Sequence, residues 1–155
     1  MIILGIDPGT AICGYGLIEN VQGNLKALKY GAITTNSKSP MPNRLEKIFD
    51  ELNNLIKEYQ PDVMGIEKLF FGRNATTAIP VGQARGIVLL SAVKNNLKII
   101  ERTPNEIKLS VTGYGGASKQ QIIFMVTKLL HLKEEPKPDD VADALAVAIC
   151  TAHSI

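Results

Sequence analysis

Cysteine and histidine are scarce in this chain of 155 residues, which holds two of each. Cys13 and Cys150 lack the paired spacing of a zinc or redox motif, so that chemistry is excluded. Both read as small apolar fillers in a reducing cytosol. His131 and His153 stand isolated and take no role. Long hydrophobic runs are missing too. No uninterrupted stretch approaches the ~20 residues of a bilayer-spanning helix. The N-terminus lacks the basic stretch followed by an apolar one that marks a signal peptide. There is no internal repeat, low-complexity tract or linker. What is left is a cytoplasmic chain with no membrane segment, read as one domain over residues 1–155, large enough to bury one sizeable core.

The net charge of +2 is small, but the charges are unevenly placed. From Lys68 to Lys133 there are ten lysines and arginines against two acids, Glu101 and Glu106. The remaining acids gather elsewhere. A basic middle beside an acidic cluster suits a polyanion held against bound metals. A solvated helix face is the plainer alternative.

Apolar periodicity gives an α/β fold. Residues 2–7 are almost wholly apolar and read as a central strand covered on both faces. Pro8-Gly9 ends it, residues 14–18 resume as a second strand, and Gln22-Gly23-Asn24 turns into a third over 25–34. Leu45, Ile48, Phe49, Leu52, Leu55, Ile56 and Tyr59 form one stripe of a helix over 42–59. A strand over 63–67 follows, which by crossover geometry lies parallel to the first. A helix over 76–95 requires Pro80 to sit near its first turn. Within it Ala78, Gly82 and Gly86 recur every four residues, beside Leu89. Such small residues fit either close packing on the sheet or a two-fold contact with a second copy. A fifth strand over 97–101 and helices over 104–111, 119–131 and 139–153 complete a mixed five-stranded sheet, three antiparallel strands then two parallel, flanked by helices. Ser118 is placed to cap the helix at 119.

Four carboxylates carry the chemistry. Asp7 and Glu67 each close a buried apolar strand, where a carboxylate is costly unless a positive charge meets it. Asp140 and Asp143, three residues apart, share a helix face. Crowded carboxylates repel one another and offer the hard oxygen ligands that suit Mg²⁺ or Mn²⁺. Each acid also has a plainer reading. Asp7 could be a turn residue, Glu67 an ion-pair partner, and Asp139 or Asp140 a helix cap. Asp143, a full turn inside the helix, has no such explanation.

Gly5-Ile6-Asp7-Pro8-Gly9-Thr10 with Gly14-Tyr15-Gly16 resembles the opening of RuvC-type Holliday-junction resolvases. Ile66-Glu67-Lys68-Leu69-Phe70-Phe71-Gly72-Arg73-Asn74, then Gly82-Gln83-Ala84-Arg85-Gly86, resembles their second block. Asp139-Asp140-Val141-Ala142-Asp143-Ala144-Leu145 resembles their C-terminal block. The resemblance covers essentially the whole chain. It implies the ribonuclease-H-like fold, a homodimer pairing through the helix that carries Ala78, Gly82, Gly86 and Leu89, and symmetric cutting of four-way DNA junctions in recombination and repair. It further implies two Mg²⁺ per site held by Asp7, Glu67, Asp140 and Asp143, with Mn²⁺ able to substitute. Lys108 and Lys119 would stand near the scissile phosphate and Phe70 would stack on bases. Lys68, Arg73 and Arg85 are further phosphate contacts, and branch-migration motors of the RuvA/RuvB type are possible partners. Three other readings compete: a YqgF-like RNA-processing nuclease of the same fold, an inactive junction-binding scaffold, and an actin- or sugar-kinase-like ATPase. The ATPase reading needs two such domains and gives Asp140 and Asp143 no purpose.

Overall fold

The computed structural model describes residues 1–69 and 75–155. Three strands open the chain: β1 (Ile2–Asp7), β2 (Ile12–Val21) and β3 (Asn24–Thr34). Helix α1 (Met41–Tyr59), strand β4 (Val63–Glu67), helix α2 (Ala75–Lys94) and strand β5 (Lys98–Arg102) come next. Helices α3 (Pro104–Thr112), α4 (Lys119–Leu129) and α5 (Asp139–Ala152) complete the chain. The sheet order is β3-β2-β1-β4-β5, antiparallel from β3 to β1 and parallel from β1 to β5. This is the ribonuclease-H-like arrangement expected from the sequence.

Alternation along β1 divides the core. Leu4 and Ile6 face α1 and α2, meeting Ile48, Leu52, Ile56, Val88 and Ala92. Ile3 faces the other side, with Leu145, Ile149, Ile107 and Val126. Strand β2 runs longer than residues 14–18. Its pairing with β1 stops at Glu19, and Asn20 and Val21 continue as a ribbon with β3, closed at Gln22 and Gly23, both with positive φ. Such a two-residue turn matches the twist of its strands. Both cysteines are buried and unpaired, and burial pushes the Cys13 thiol up to about 12.

Helix α5 is buried all round except at its first turn and Asp143. Gly5 pairs with Gly16 on one side and Gly65 on the other, so a row of glycines crosses three adjacent strands. A Cβ on Gly5 would come within 2.6 Å of the Ala148 nitrogen, and one on Gly16 within 2.9 Å of Leu145 Cγ. The row is a trough in which the alanine-rich α5 lies against the sheet backbone. Thr151 and Val147 fill the space over Gly65.

One expectation holds on α2 and another needs correcting. The helix starts at Ala75 and carries Pro80 in its interior. So few residues precede the ring that its clash and lost N–H touch only the opening turns. Residues Thr76–Lys94 are also apolar and long enough, by length and composition, to cross a bilayer. Run length misses this because Pro80, Gly82, Gln83, Arg85 and Gly86 break the apolar stretches while the mean hydropathy stays high. One face of α2 nevertheless packs inward through Ala84, Val88, Ser91 and Ala92.

Candidate active site

Asp7 and Glu67 end adjacent parallel strands, one step beyond the Ile6–Ile66 pair. Neighbouring strands lie about 4.8 Å apart. Each acid sits two residues past a glycine of the α5 trough, and therefore on the same face of the sheet as α5. Gly14, the partner of Asp7 on β2, lies beneath the start of α5, where a Cβ would come within 2.6 Å of the Asp140 carbonyl carbon. Absence of side chains at Gly5 and Gly14 thus lets α5 descend until Asp140 and, one turn later, Asp143 reach the strand ends. Asp139 and Asp140 occupy the helix's first turn with no side-chain capping bond, the N-cap being Pro138. Capping does not account for them.

The four groups share one electric field. Burial, with Asp143, Asp140 and Glu67 nearby, pushes Asp7 up to about 7. Burial and then Asp143 raise Glu67, against the pull of Lys119 and Lys108. Burial also raises Asp143, although Lys119 bonds to it directly. For Lys119, burial works against the charge, but the bond to Asp143 and the charges of Asp143, Asp139 and Asp7 raise its pKa overall. Among the described residues no three acidic, histidine or cysteine side chains already stand as a ready-made metal cage. Asp143, Asp140 and Glu67 instead act on Asp7 through their charges, with the Lys119 ammonium paired to Asp143. That donor set fits divalent metal: hard oxygens, mutually repelling, with a cation already drawn among them.

A cleft of about 330 Å³ opens beside them, walled by Glu67, Asp143, Lys108, Lys119 and the apolar Ile107 and Ile122. Two capping boxes set its lysines. Thr103 and Glu106 cap each other's backbone N–H at the start of α3, placing Lys108 one turn on. Ser118 and Gln121 do the same for α4, fixing Lys119 at its first position.

The other predicted residues divide. Lys68 is exposed, and its backbone N–H donates to the Arg102 carbonyl at 2.7 Å. Arg85 is turned into the protein, its side chain only 15% exposed. One guanidinium nitrogen donates to the Glu67 carbonyl oxygen at 2.6 Å and another pairs with Glu101. It anchors the end of β4 to α2 and β5, a positioning contact the sequence reading did not foresee. A clue was available in Glu101, one of only two acids in the basic middle. Phe70 and Arg73 lie outside the described residues. On α2, Ala78 is half-buried and Leu89 packs against the chain's own core. A Cβ on Gly82 or Gly86 would meet nothing within 4 Å, so these glycines do not serve sheet packing. They lie along an exposed stripe with Ile79 (67% exposed), Leu90 and Val93 (64%).

The family model described as "Crossover junction endodeoxyribonuclease RuvC" matches residues 3–151. A protein of that name from Heliobacterium modesticaldum is 58% identical, over all of this chain and 96% of its own length. One from Clostridioides difficile is 52% identical, over 99% of this chain and 91% of its own. Among solved structures, Thermus thermophilus RuvC in complex with a Holliday-junction substrate superposes with a TM-score of 0.93. The two are 31% identical over 98% of this chain and 93% of that one. Sequence along nearly the full length and the course of the backbone agree: the chain belongs to the RuvC family of crossover junction endodeoxyribonucleases.

Proposed function

We propose that the protein resolves four-way DNA junctions by paired, symmetric nicks in strands of like polarity, leaving 5′-phosphate and 3′-hydroxyl ends. One observation carries the chemical part of this reading. Asp7, Glu67, Asp140 and Asp143 come from two strands and a helix, yet Asp7 feels all three others. These four are the catalytic carboxylates and would hold two Mg²⁺, with Mn²⁺ as a substitute. The bound metals supply an activated water and neutralise charge on the departing oxygen.

The chain's own residues do the rest. Lys119, which pairs with Asp143, would be available to hold the scissile phosphate where Asp143 serves as a metal ligand. Lys108 flanks it from α3. Arg85 keeps the β4 terminus from shifting and so fixes Glu67. Its charge is committed inside the protein, which leaves Lys68 and Arg73 as the outer phosphate contacts. Phe70 is proposed to stack on a base at the junction centre.

Two nicks require two sites. The stripe of Ile79, Gly82, Gly86, Leu90 and Val93 suits an isologous contact, since glycines let two helices approach closely and the apolar side chains leave water together. A homodimer built on α2, acting in the cytoplasm with branch-migration motors of the RuvA/RuvB type, completes the proposal.

The test is a four-way junction with each strand labelled in turn. With Mg²⁺ we expect symmetric nicks in opposed strands; with chelator, binding and no cutting. Random nicking of linear duplex, or equal cutting in chelator, refutes the proposal.

A further inference from the structure

A second groove of about 550 Å³ lies across α4 from the catalytic cleft, and Ala117 lines both. The first turn of α4 divides them, with Lys119 and Ile122 toward the cleft and Gln120 and Gln121 toward the groove. Tyr114 and Phe124 form its aromatic walls, 63% and 51% exposed. Rings this large left in water call for an occupant with a flat apolar face.

Tyr114 is held ready for one. The Thr112 hydroxyl accepts from the Tyr114 N–H at 3.1 Å, and its single proton is shared between the Lys108 carbonyl oxygen at 2.8 Å and the Tyr114 carbonyl oxygen at 3.0 Å. Gly113, at φ +74, closes α3, and the ring lies across Gly116, where a Cβ would come within 2.6 Å of the phenol carbon. A braced ring loses little freedom when something stacks on it. The Lys128 ammonium stands 5.5 Å from the centre of the Phe124 ring, outside the groove's own lining. Glu135 is the only charged residue among the lining residues. Two aromatic faces, separated by Ala117 and the first turn of α4 from a cleft that carries Lys108 and Lys119, fit a base of a nucleic-acid strand whose phosphates lie outside the groove.

We propose that this groove seats the nucleotide next to the scissile phosphate on the strand being cut, its base stacked on Tyr114 and its outer phosphate near Lys128. The inference rests on the junction-cutting reading above and adds a positioning residue to it.

The experiment walks 2-aminopurine through the positions on both sides of the cut in a four-way junction, bound in chelator. At one position wild type and Tyr114→Phe should quench the fluorescence, while Tyr114→Ala should not. With Mg²⁺, Tyr114→Ala should lose about tenfold in cutting rate at saturating junction, with Tyr114→Phe restoring it and thermal stability unchanged. Phe124→Ala should lose less, and its loss should shrink as salt rises, because a weakened Lys128–phosphate contact lowers the salt dependence. If wild type cuts junctions but no position distinguishes it from Tyr114→Ala, the groove is not a DNA seat. Wild-type rates in both alanine variants overturn it equally, and leave the groove to a protein segment. If wild type cuts nothing, the activity reading fails, while the quench in chelator still decides the groove.

Discussion

The two faces of the sheet are built on opposite rules. Toward α1 and α2 the strands present Leu4, Ile6, Leu17, Met64 and Ile66, bulky groups that fill space and hold the helices off the backbone. Toward α5 they present Ile3, Ile18 and Val63 but also a row of Gly5, Gly16 and Gly65, facing Ala148, Leu145 and Thr151, and over that row the helix rests almost on the main chain. A layer of large side chains buries more apolar area and can repack when one member changes. A layer of glycine and alanine buries less but leaves the helix little freedom to shift. The proposed catalytic carboxylates sit at the end of the second layer, where small displacements of Asp140 and Asp143 relative to Asp7 and Glu67 would matter most.

Substitution on each face tests this, and the glycine trough should show the largest effect. Gly5→Val drives a side chain into the α5 backbone at Ala148. Overpacking there should cost about 3 kcal/mol or more and abolish cutting. Should it fail to fold, Gly5→Ala keeps the test measurable by denaturant titration. On the opposite face, Leu52→Ala leaves a cavity costing about 2–5 kcal/mol. Its folded fraction should still cut at nearly the wild-type rate. Equal loss of activity per folded molecule in both variants would erase the distinction between the faces.

Asp7→Asn comes next, removing charge without changing shape. Cleavage should fall by at least about 10³-fold, as for other groups acting as a catalytic unit. Stability in chelator at pH 7.5 should rise, because one of four mutually repelling acids is gone. Each kcal/mol relieved lifts Tm by about 2–4 °C in a domain this size. An ordinary ion-paired aspartate would give the reverse, a lower Tm.

On the outer face of α2, Ile79→Glu with Val93→Glu should shift the protein to monomer in sedimentation, at little cost to its fold. Both side chains are already mostly in water. Junctions should then receive single, uncoupled nicks. A dimer that survives both changes moves the contact elsewhere.

Much of this was readable in advance because it is periodic. The strand ends at Asp7 and Glu67, the stripe of α1 and the spacing of Asp140 and Asp143 are one-dimensional signals, and each element lies within a few residues of its expected place. The trough was not. Gly5, Gly14, Gly16 and Gly65 look like interruptions of apolar strands, and only the cross-strand register shows Gly16, Gly5 and Gly65 as one row with Gly14 beside Asp7. Arg85 was misread for a related reason. A basic residue in a basic region suggests an external phosphate, while its partners, 16 and 18 residues away, are defined only once α2 lies over β4 and β5. The start of α2 at Ala75 lies one residue from its expected place, and Pro80 falls in its second turn, close enough to the N-terminus to be carried.

The smallest expected effect is one of pH. Asp7 is raised, so in metal-free protein it keeps its proton between about 4 and about 7, where the unfolded chain has released its own. The folded state then binds more protons than the unfolded state. Stability contributed through Asp7 must therefore fall as pH rises across that window, the reverse of an ion-paired carboxylate. Glu67 and Asp143 are raised as well and add the same sign, while Glu106, lowered by its capping bonds to Thr103, opposes them. The Tm difference between Asp7→Asn and wild type isolates Asp7 from these neighbours. In chelator it should be near zero at pH 4 and grow in favour of the variant by pH 7.5. Millimolar Mg²⁺ should shrink or invert it, because metal stabilises the ionised carboxylate that the empty field penalises. A difference that stays flat with pH in chelator would mean that Asp7 is ionised throughout, and that α5 does not bring its acids close enough for repulsion to matter.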